Sequence, residues 1–408
     1  MAEFLVLRSA DEARRLLAAF PAVGAERVAL AEADGRVLAA DVVGTEALPA
    51  WTRAVMDGYA VRATDTFGAS DAVPAFLSCV GAVPMGGVFP RALAPGEAAA
   101  IATGGVIPDG ADAVVMIEFT DERAGAVAVH RGVATGDHVL RTGEDVARGA
   151  VLGRAGRRLR PEDVALCAAL GITEVLVHRR PRVGVLSTGD ELVAPDAMPR
   201  PGQVRDANQL ALAAACRRCG CDVELGGVAA DDAAELAART RSLAASCDAV
   251  LLSGGSSVGA RDLTAGALVA AGGEIIFHGI SVRPGKPTIL ARAGAKPLLG
   301  MPGVPVSALV IFEVFVRPML LALGGERERE AWPARRRARL SRRVPSLAGR
   351  EDYVRVRLVT TGEVALAEPL LGGSSAMSTL ARADGLVIVP AGVEGIAEGD
   401  EVEVLLNG

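Results

Sequence analysis

Ala249-Val-Leu-Leu-Ser253-Gly-Gly-Ser-Ser-Val-Gly259 is the stretch on which the reading of the fold turns. Five residues, apolar but for the closing serine, read as a buried strand, and the small-residue turn behind them lets the chain enter a helix at close quarters. The pattern recurs on both sides. Upstream, Val183–Ser187 runs into Ser187-Thr188-Gly189-Asp190-Glu191; downstream, a short strand near Leu298 runs into Met301-Pro302-Gly303-Val304-Pro305-Val-Ser307. Helices Asn208–Cys219 and Asp232–Ser246, one after Asp262, and Val306–Leu323 alternate with strands Asp222–Val228, Glu274–Phe277 and one near Ile289. Strands alternating with helices of this size predict a doubly wound parallel sheet, an α/β domain. Ligands of such sheets sit beyond the carboxyl ends of the strands, so chemistry is expected in the loops after Ser187, Ser253 and Gly300.

Working outward, Ser9-Ala-Asp-Glu12 predicts a capping box, followed by an apolar face at Leu16, Leu17 and Phe20. From about residue 45 to 144 the texture is β-rich, with runs such as Ala98–Thr103, Ala113–Ile117 and Ala126–His130. A helix over Arg160–Leu170 and a strand over Glu174–His178 follow. After the sheet domain, Gly325–Arg343 reads as an Arg-rich linker into a last β segment with strands Tyr353–Val359, Gly385–Val389 and Glu401–Leu405. Val306–Leu323 is very hydrophobic, but Glu313, Arg317 and Pro318 interrupt it, which fits a buried helix better than a membrane span.

With 408 residues, 43 basic against 49 acidic, and 50% hydrophobic content, the chain is neither disordered nor collagen-like and has room for several cores. No block of like charge provides the basic face that nucleic acid or a membrane surface requires, so small molecules and protein are the expected partners. Lys286 and Lys296 are the only lysines among the 43 basic residues, which makes each informative. Six cysteines in a chain of this length read as reduced thiols, and the chain as cytoplasmic.

The three strand-end loops let backbone N–H groups approach a ligand ahead of a helix N-terminus, a pattern suited to a phosphate or nucleotide. Arg283-Pro-Gly-Lys286-Pro adds two cations on a segment stiffened by prolines, a grip for an oxyanion, although Pro287 stands where a Walker loop needs Ser or Thr. Asp190, Glu191, Asp231, Asp232 and Asp262 gather at the same edge, either as helix caps, most plainly Asp231 and Asp232, or as Mg²⁺ ligands facing a phosphate. Met56-Asp57-Gly-Tyr59, Thr103-Gly-Gly105 and Gly143-Glu-Asp145 read locally as turns. Cys216, Cys219 and Cys221 have a metal-like spacing but lie at a helix C-terminus, where the dipole disfavours thiolates, so a structural role is expected.

Taken in order, Met56-Asp-Gly-Tyr-Ala60, Thr103-Gly, Gly143-Glu-Asp145, Ser187-Thr-Gly-Asp-Glu-Leu192, Ser253-Gly-Gly255 with Ser257-Val-Gly259 and Asp262, Pro284-Gly-Lys-Pro287, and Met301-Pro-Gly303 with Pro305-Val-Ser307 resemble the molybdopterin molybdenumtransferase (MoeA) family, which includes the E domain of gephyrin. The resemblance implies a homodimer with four domains per chain: an elongated domain from 1–45 and 146–180, an inserted β-rich domain 46–145, a molybdopterin-binding α/β domain 181–326 and a C-terminal β-barrel 327–408. It implies insertion of molybdate into adenylylated molybdopterin with release of AMP, assisted by Mg²⁺. The molybdopterin adenylyltransferase and acceptor molybdoenzymes are the implied protein partners.

By the same resemblance, Asp57, Thr103, Asp145, Glu191, Asp231, Asp262 and Lys286 are catalytic, and Glu191, Asp231 and Asp262 hold Mg²⁺. Ser187, Thr188, Gly189, Asp190, Ser253, Gly254, Gly255, Ser257, Gly259, Pro302, Gly303 and Pro305 bind the pterin nucleotide. Arg283, Lys286, Ser307, Arg355 and Ser374 bind molybdate. The chain departs from the family pattern at Arg53-Ala-Val55, Ser256 and Val304. A paralogue that binds the pterin nucleotide as a carrier or scaffold, with weak or altered insertion activity, is the other reading.

Overall fold

The computed structural model describes residues 7–254, 260–327, 334–361, 364–370, 372–373 and 375–407. Its central sheet runs in the order Asp222–Ala229, Arg182–Thr188, Ala249–Ser253, Lys296–Met301, Ile289–Ala293, Glu274–His278. The first four strands are mutually parallel, as alternating strands and helices demand. The expected parallel order is corrected beyond them, because Ile289–Ala293 pairs antiparallel with both its neighbours. Only Gly294 and Ala295 separate Ala293 from its register partner Lys296, and a two-residue turn joins antiparallel neighbours only. Gly294 takes φ +61°, the conformation that such a turn asks of glycine.

The apolar stretch after Val304 is one continuous helical rod: Pro305–Ile311, a π-helical turn at Phe312–Val316, then Arg317–Leu323. In the π turn the Arg317 N–H bonds the Phe312 carbonyl, five residues back. The rod is long and apolar enough to cross a membrane, but 72% of it is buried within the protein's own core. It packs there with Val183, Leu212, Leu251 and Leu299 of the sheet domain.

The Ala25–Ala29 strand pairs with Glu174–His178, and Val42–Val43 with Val151–Gly153, so the chain leaves and re-enters one body around the inserted segment. Helix Ala10–Leu17 does not join that body's core of Leu30, Leu38, Leu159, Val175 and Val177. It buries Ala10, Ala13 and Leu17 in the core that the sheet domain shares with Tyr353 and Leu386. Its capping box is half made: Ser9 Oγ accepts the Glu12 N–H at 3.2 Å, while the Glu12 carboxylate turns to Arg8 at 2.7 Å.

The inserted segment forms a six-stranded sheet, Ala113–Met116, Gly58–Val61, Glu97–Ile101, Ala75–Ala82, Ala126–Val129, Thr120–Arg123. At the C-terminus, Glu351–Thr361, Val364–Pro369, Arg335–Leu340, Glu401–Leu406 and Gly385–Val389 close into a five-stranded barrel, the last pairing back onto the first. The Arg-rich "linker" is therefore corrected in part. Arg335–Leu340 is a barrel strand that turns Ala338 and Leu340 inward and leaves Arg335, Arg336, Arg337 and Arg339 exposed.

Candidate active site

Ser187 and Ser253 are register partners at the carboxyl ends of adjacent parallel strands. Between these strands the winding reverses: the chain goes from Arg182–Thr188 outward to Asp222–Ala229, then crosses to Ala249–Ser253 on the other side. Such a switch point leaves a crevice outside the strand ends. The loops approach each other closely there. A Cβ on Gly254 would lie 2.3 Å from Thr188 Cγ2 and 2.4 Å from the Thr188 carbonyl oxygen, so only glycine fits.

Asn208, at the start of helix Asn208–Arg218, joins the loops. Its Nδ2 donates to Ser253 Oγ at 2.8 Å and to the Gly303 carbonyl at 2.7 Å. With both acceptors fixed, the amide's oxygen is left over, and among the described residues the buried Asn208 Oδ1 and Ser187 Oγ have no hydrogen-bond partner. An unmet buried polar atom costs about 1–3 kcal/mol, and two of them beside the same strand ends suit a polar ligand.

The carboxylates line the same edge. Thr188 Oγ1 donates to Asp231 Oδ1 at 2.9 Å, and the Asp231 N–H donates to Asp190 Oδ1 at 3.0 Å. Of the two aspartates expected to cap, only Asp232 does so, accepting the Glu235 N–H at 2.8 Å; Asp231 turns to the loop instead. The exposed Glu191 folds back over Gly189, where a Cβ would stand 2.7 Å from Glu191 Oε2. Among the described residues no three His, Cys, Asp or Glu side chains form a metal cage. Exposed carboxylates next to a phosphate-type loop nevertheless fit Mg²⁺, which keeps several waters and takes one or two carboxylates plus substrate phosphates. Gly255, Ser257, Gly259, Ser374 and the side chain of Asp262 lie outside the described residues.

Beyond the Met301-Pro-Gly turn, Pro302 is buried, Pro305 opens the helix at its first turn, and Ser307 is 6% exposed. The residue before Pro305, Val304, offers the helix no side-chain cap. The Arg283-Pro-Gly-Lys286 loop lies against this helix: a Cβ on Gly285, at φ +108°, would meet Ile311 Cγ1 at 2.3 Å, one turn beyond Ser307. Lys286 is exposed, and Arg283 is 64% exposed with Nη1 3.7 Å from the buried Asp352 carboxylate. From the barrel, Arg355 Nη1 donates to Thr379 Oγ1 at 2.6 Å and Nη2 to the Gly372 carbonyl at 2.8 Å. Burial, then the like charge of Arg283, lowers the proton affinity of Arg355.

A second cluster stands at one end of the inserted sheet. Gly58 and Ile101 are register partners, which sets Asp57 just ahead of one strand and Thr103 just past its neighbour. Asp57 Oδ1 accepts the Thr103 N–H at 2.7 Å and its hydroxyl at 2.8 Å, and these bonds hold the carboxyl below its usual range. A Cβ on Gly58 would lie 1.9 Å from the Val115 carbonyl oxygen, which explains the glycine of Met56-Asp-Gly-Tyr59. Asp145 is exposed on the Gly143-Glu-Asp145 turn, whose Gly143 and Asp145 N–H groups bond the Pro49 and Leu48 carbonyls. A polar cleft of about 510 Å³, lined by Asp137, Arg141, Thr142 and Glu144, opens beside it. A cavity of about 640 Å³ against barrel strands Gly385–Val389 and Glu401–Leu406 contains none of the candidate site residues. Among the described residues no hydrogen bond or ion pair joins Asp57, Thr103 or Asp145 to the sheet-edge loops.

Cys216, Cys219 and Cys221 are buried in the core of the sheet domain. Burial pushes the Cys216 thiol well up and the Cys219 thiol to about 12, and all six cysteines are free thiols. The residues that sequence reasoning missed are Asn208 and Thr379. Asn208 carried a usable signal, since a side-chain amide stands where the helix begins, beside the predicted ligand edge.

Three family models match the chain in order: the MoeA N-terminal region (domain I and II) over residues 8–171, a probable molybdopterin binding domain over 184–322, and the MoeA C-terminal region (domain IV) over 337–406. The chain is 37% identical over 406 residues to molybdopterin molybdenumtransferase 2 of Mycobacterium tuberculosis, covering 98% of this chain and 99% of the relative. It is 34% identical over 402 residues to the molybdopterin molybdenumtransferase of Bacillus subtilis, covering 97% and 93%. The crystal structure of the molybdopterin biosynthesis MoeA protein from Pyrococcus horikoshii OT3 superposes with a TM-score of 0.85 at 32% identity, covering 98% of this chain and all of that one.

Proposed function

The chain belongs to the MoeA family, and from that premise we propose that it is a transferase of molybdenum cofactor biosynthesis that inserts molybdate into adenylylated molybdopterin and releases AMP. The observation that carries the reading is the switch-point crevice, where Ser187 and Asn208 keep buried polar atoms unmet, among the described residues, beside a carboxylate-lined edge. A polar, phosphorylated ligand supplies what these atoms lack.

In this reading Ser187, Thr188, Gly189, Asp190, Ser253, Gly254 and the Pro302-Gly303-Val304-Pro305 loop hold the pterin nucleotide, with Gly255, Ser257 and Gly259 continuing the Ser253 loop. Backbone N–H groups and the helix N-termini beyond the loops face its phosphates. Glu191 and Asp231, with Asp262, would hold Mg²⁺. Bound there, the ion neutralises phosphate charge that would otherwise repel these carboxylates. Arg283, Lys286, Ser307, Arg355 and Ser374 hold molybdate, a tetrahedral dianion, by charge and fixed donors. Water cleaves the phosphoanhydride, leaving a phosphate on the pterin and freeing AMP, which provides the driving force, and the protein's own contribution is to position two anions against each other.

Asp57, Thr103 and Asp145 enter from a second copy of the chain. A homodimer that sets one copy's inserted domain against the other's sheet edge unites two clusters that are separate within one chain. Molybdate, adenylylated molybdopterin and Mg²⁺ are incubated with the protein and a cofactor-free molybdoenzyme to test the reading. Recovery of molybdoenzyme activity, absent with Lys286→Ala, is the expected result. Binding of the pterin without recovery of activity would leave the carrier reading, which Val304, an N-cap without a side-chain bond, favours.

A further inference from the structure

We propose that Arg14 is a positioning residue for the molybdate grip: by holding the first residues of the Glu351–Thr361 strand it fixes where Arg355 stands relative to Arg283. The inference rests on reading these two arginines as the oxyanion site.

Arg14 lies on helix Ala10–Leu17, whose apolar side is locked into the shared core. Its Nη2 donates to Glu351 Oε2 at 2.7 Å and to Tyr353 Oη at 2.8 Å, while its Nη1 donates to Asp11 Oδ1 at 2.7 Å. The Tyr353 hydroxyl in turn donates to Glu351 Oε2 at 2.5 Å. The guanidinium also sits 5.4 Å from the centroid of Phe315, which meets Tyr353 edge-on at 6.3 Å. Phe315 is carried by the π turn of the rod that begins beside the Met301-Pro-Gly loop. One cation therefore binds together the N-terminal helix, the rod and the opening of a barrel strand.

That opening is where the anion grip is built. Val282–Arg283 pairs in parallel with Glu351–Asp352, and Asp352 receives both Arg283 at 3.7 Å and Arg350 at 2.8 Å. Tyr353 and Arg355 are two residues apart on one strand and share a face. The segment leading into Arg283 is held from the other side as well. Arg8 N–H bonds the Gly279 carbonyl at 3.1 Å, the Ser281 N–H bonds the Arg8 carbonyl at 2.8 Å, and the Glu351 N–H bonds the Ser281 carbonyl at 3.1 Å. The N-terminal segment is thus a strap across both strands that present the guanidiniums. A surface ion pair alone would fix little. Arg14 instead joins three groups, of which the Glu351 side chain is 16% exposed.

The test titrates the full chain with molybdate alone by calorimetry, and separately with adenylylated molybdopterin. Wild type is compared with Arg355→Ala, Arg14→Ala, Arg14→Lys and Tyr353→Phe. Binding of molybdate by wild type and its loss in Arg355→Ala establish the grip, and failure of wild type to bind overturns the oxyanion reading itself. Given the grip, Arg14→Ala is expected to weaken molybdate about tenfold, the scale of one misdirected hydrogen bond to a charged group, while pterin binding changes by less than about twofold. Arg14→Lys, which keeps a charged donor for Glu351, recovers part of the loss. Tyr353→Phe falls between, and it carries the test if Arg14→Ala does not fold. Unchanged molybdate affinity in Arg14→Ala and Tyr353→Phe overturns the proposal, as does equal weakening of both ligands.

Discussion

Asn208 donates its side-chain N–H to Ser253 Oγ at 2.8 Å, which ties the head of one helix to the end of the central strand of the crevice. The same nitrogen reaches Gly303, so a single amide sets the spacing between the Ser253 and Pro302-Gly303 loops. Asn208→Ala removes both bonds and leaves a buried hydroxyl and a carbonyl partly unmet. The expected loss of stability is about 1–3 kcal/mol, and KM for the pterin substrate rises more than KM for molybdate. Thermal unfolding and steady-state kinetics check the two parts. An unchanged KM for the pterin would remove Asn208 from the site.

Much of the fold was legible because the sheet domain obeys periodicity and small-residue punctuation together. The Ala249–Ser253 strand is bounded as read, and the Ser187, Ser253 and Met301 loops do meet at one edge. The antiparallel flank was harder, since Ile289–Ala293 has the same apolar texture as a parallel strand and only the two-residue Gly294-Ala295 turn betrays its direction. Arg335–Leu340 was hidden by composition: four arginines in six residues look like a solvated linker, although Ala338 and Leu340 alternate inward. In the candidate site, glycines and loop carboxylates were visible as motifs. Asn208 showed only as an amide at a helix start and Thr379 not at all, because their importance lies in partners 45 and 24 residues away in sequence.

Thr103 holds the Asp57 carboxyl below its ordinary range by donating twice to one oxygen. Thr103→Val removes the hydroxyl and keeps the backbone N–H, so the Asp57 midpoint moves up toward its ordinary value without reaching it. The sign follows from the direction of the shift: a depressed folded-state pKa favours the native state above the unfolded value, and that contribution fades as pH falls through the folded one. Titration of Asp57 by carboxyl NMR in both proteins measures the change. A midpoint that does not move would mean that the hydroxyl bond contributes nothing.

Within one chain the Asp57 cluster and the sheet edge share no hydrogen bond or ion pair among the described residues. If the reacting centre is shared between copies, Asp57→Ala and Lys286→Ala are each inactive as homodimers, yet a mixed dimer has one centre free of both substitutions. Co-expressed, differently tagged chains purified as the mixed dimer are expected to recover up to about half of wild-type activity, as one intact site of two implies. Complete inactivity of the mixed dimer would assign both residues to a centre built from one chain.

The central claim is that the crevice couples departure of the adenylate to capture of molybdate. Release of AMP from adenylylated molybdopterin, followed with Mg²⁺ present and molybdate varied, tests it most directly. The account predicts AMP release that depends on molybdate, saturates with it, and is abolished in Lys286→Ala and Arg355→Ala. AMP release that ignores molybdate, or is unaffected by both substitutions, would contradict it.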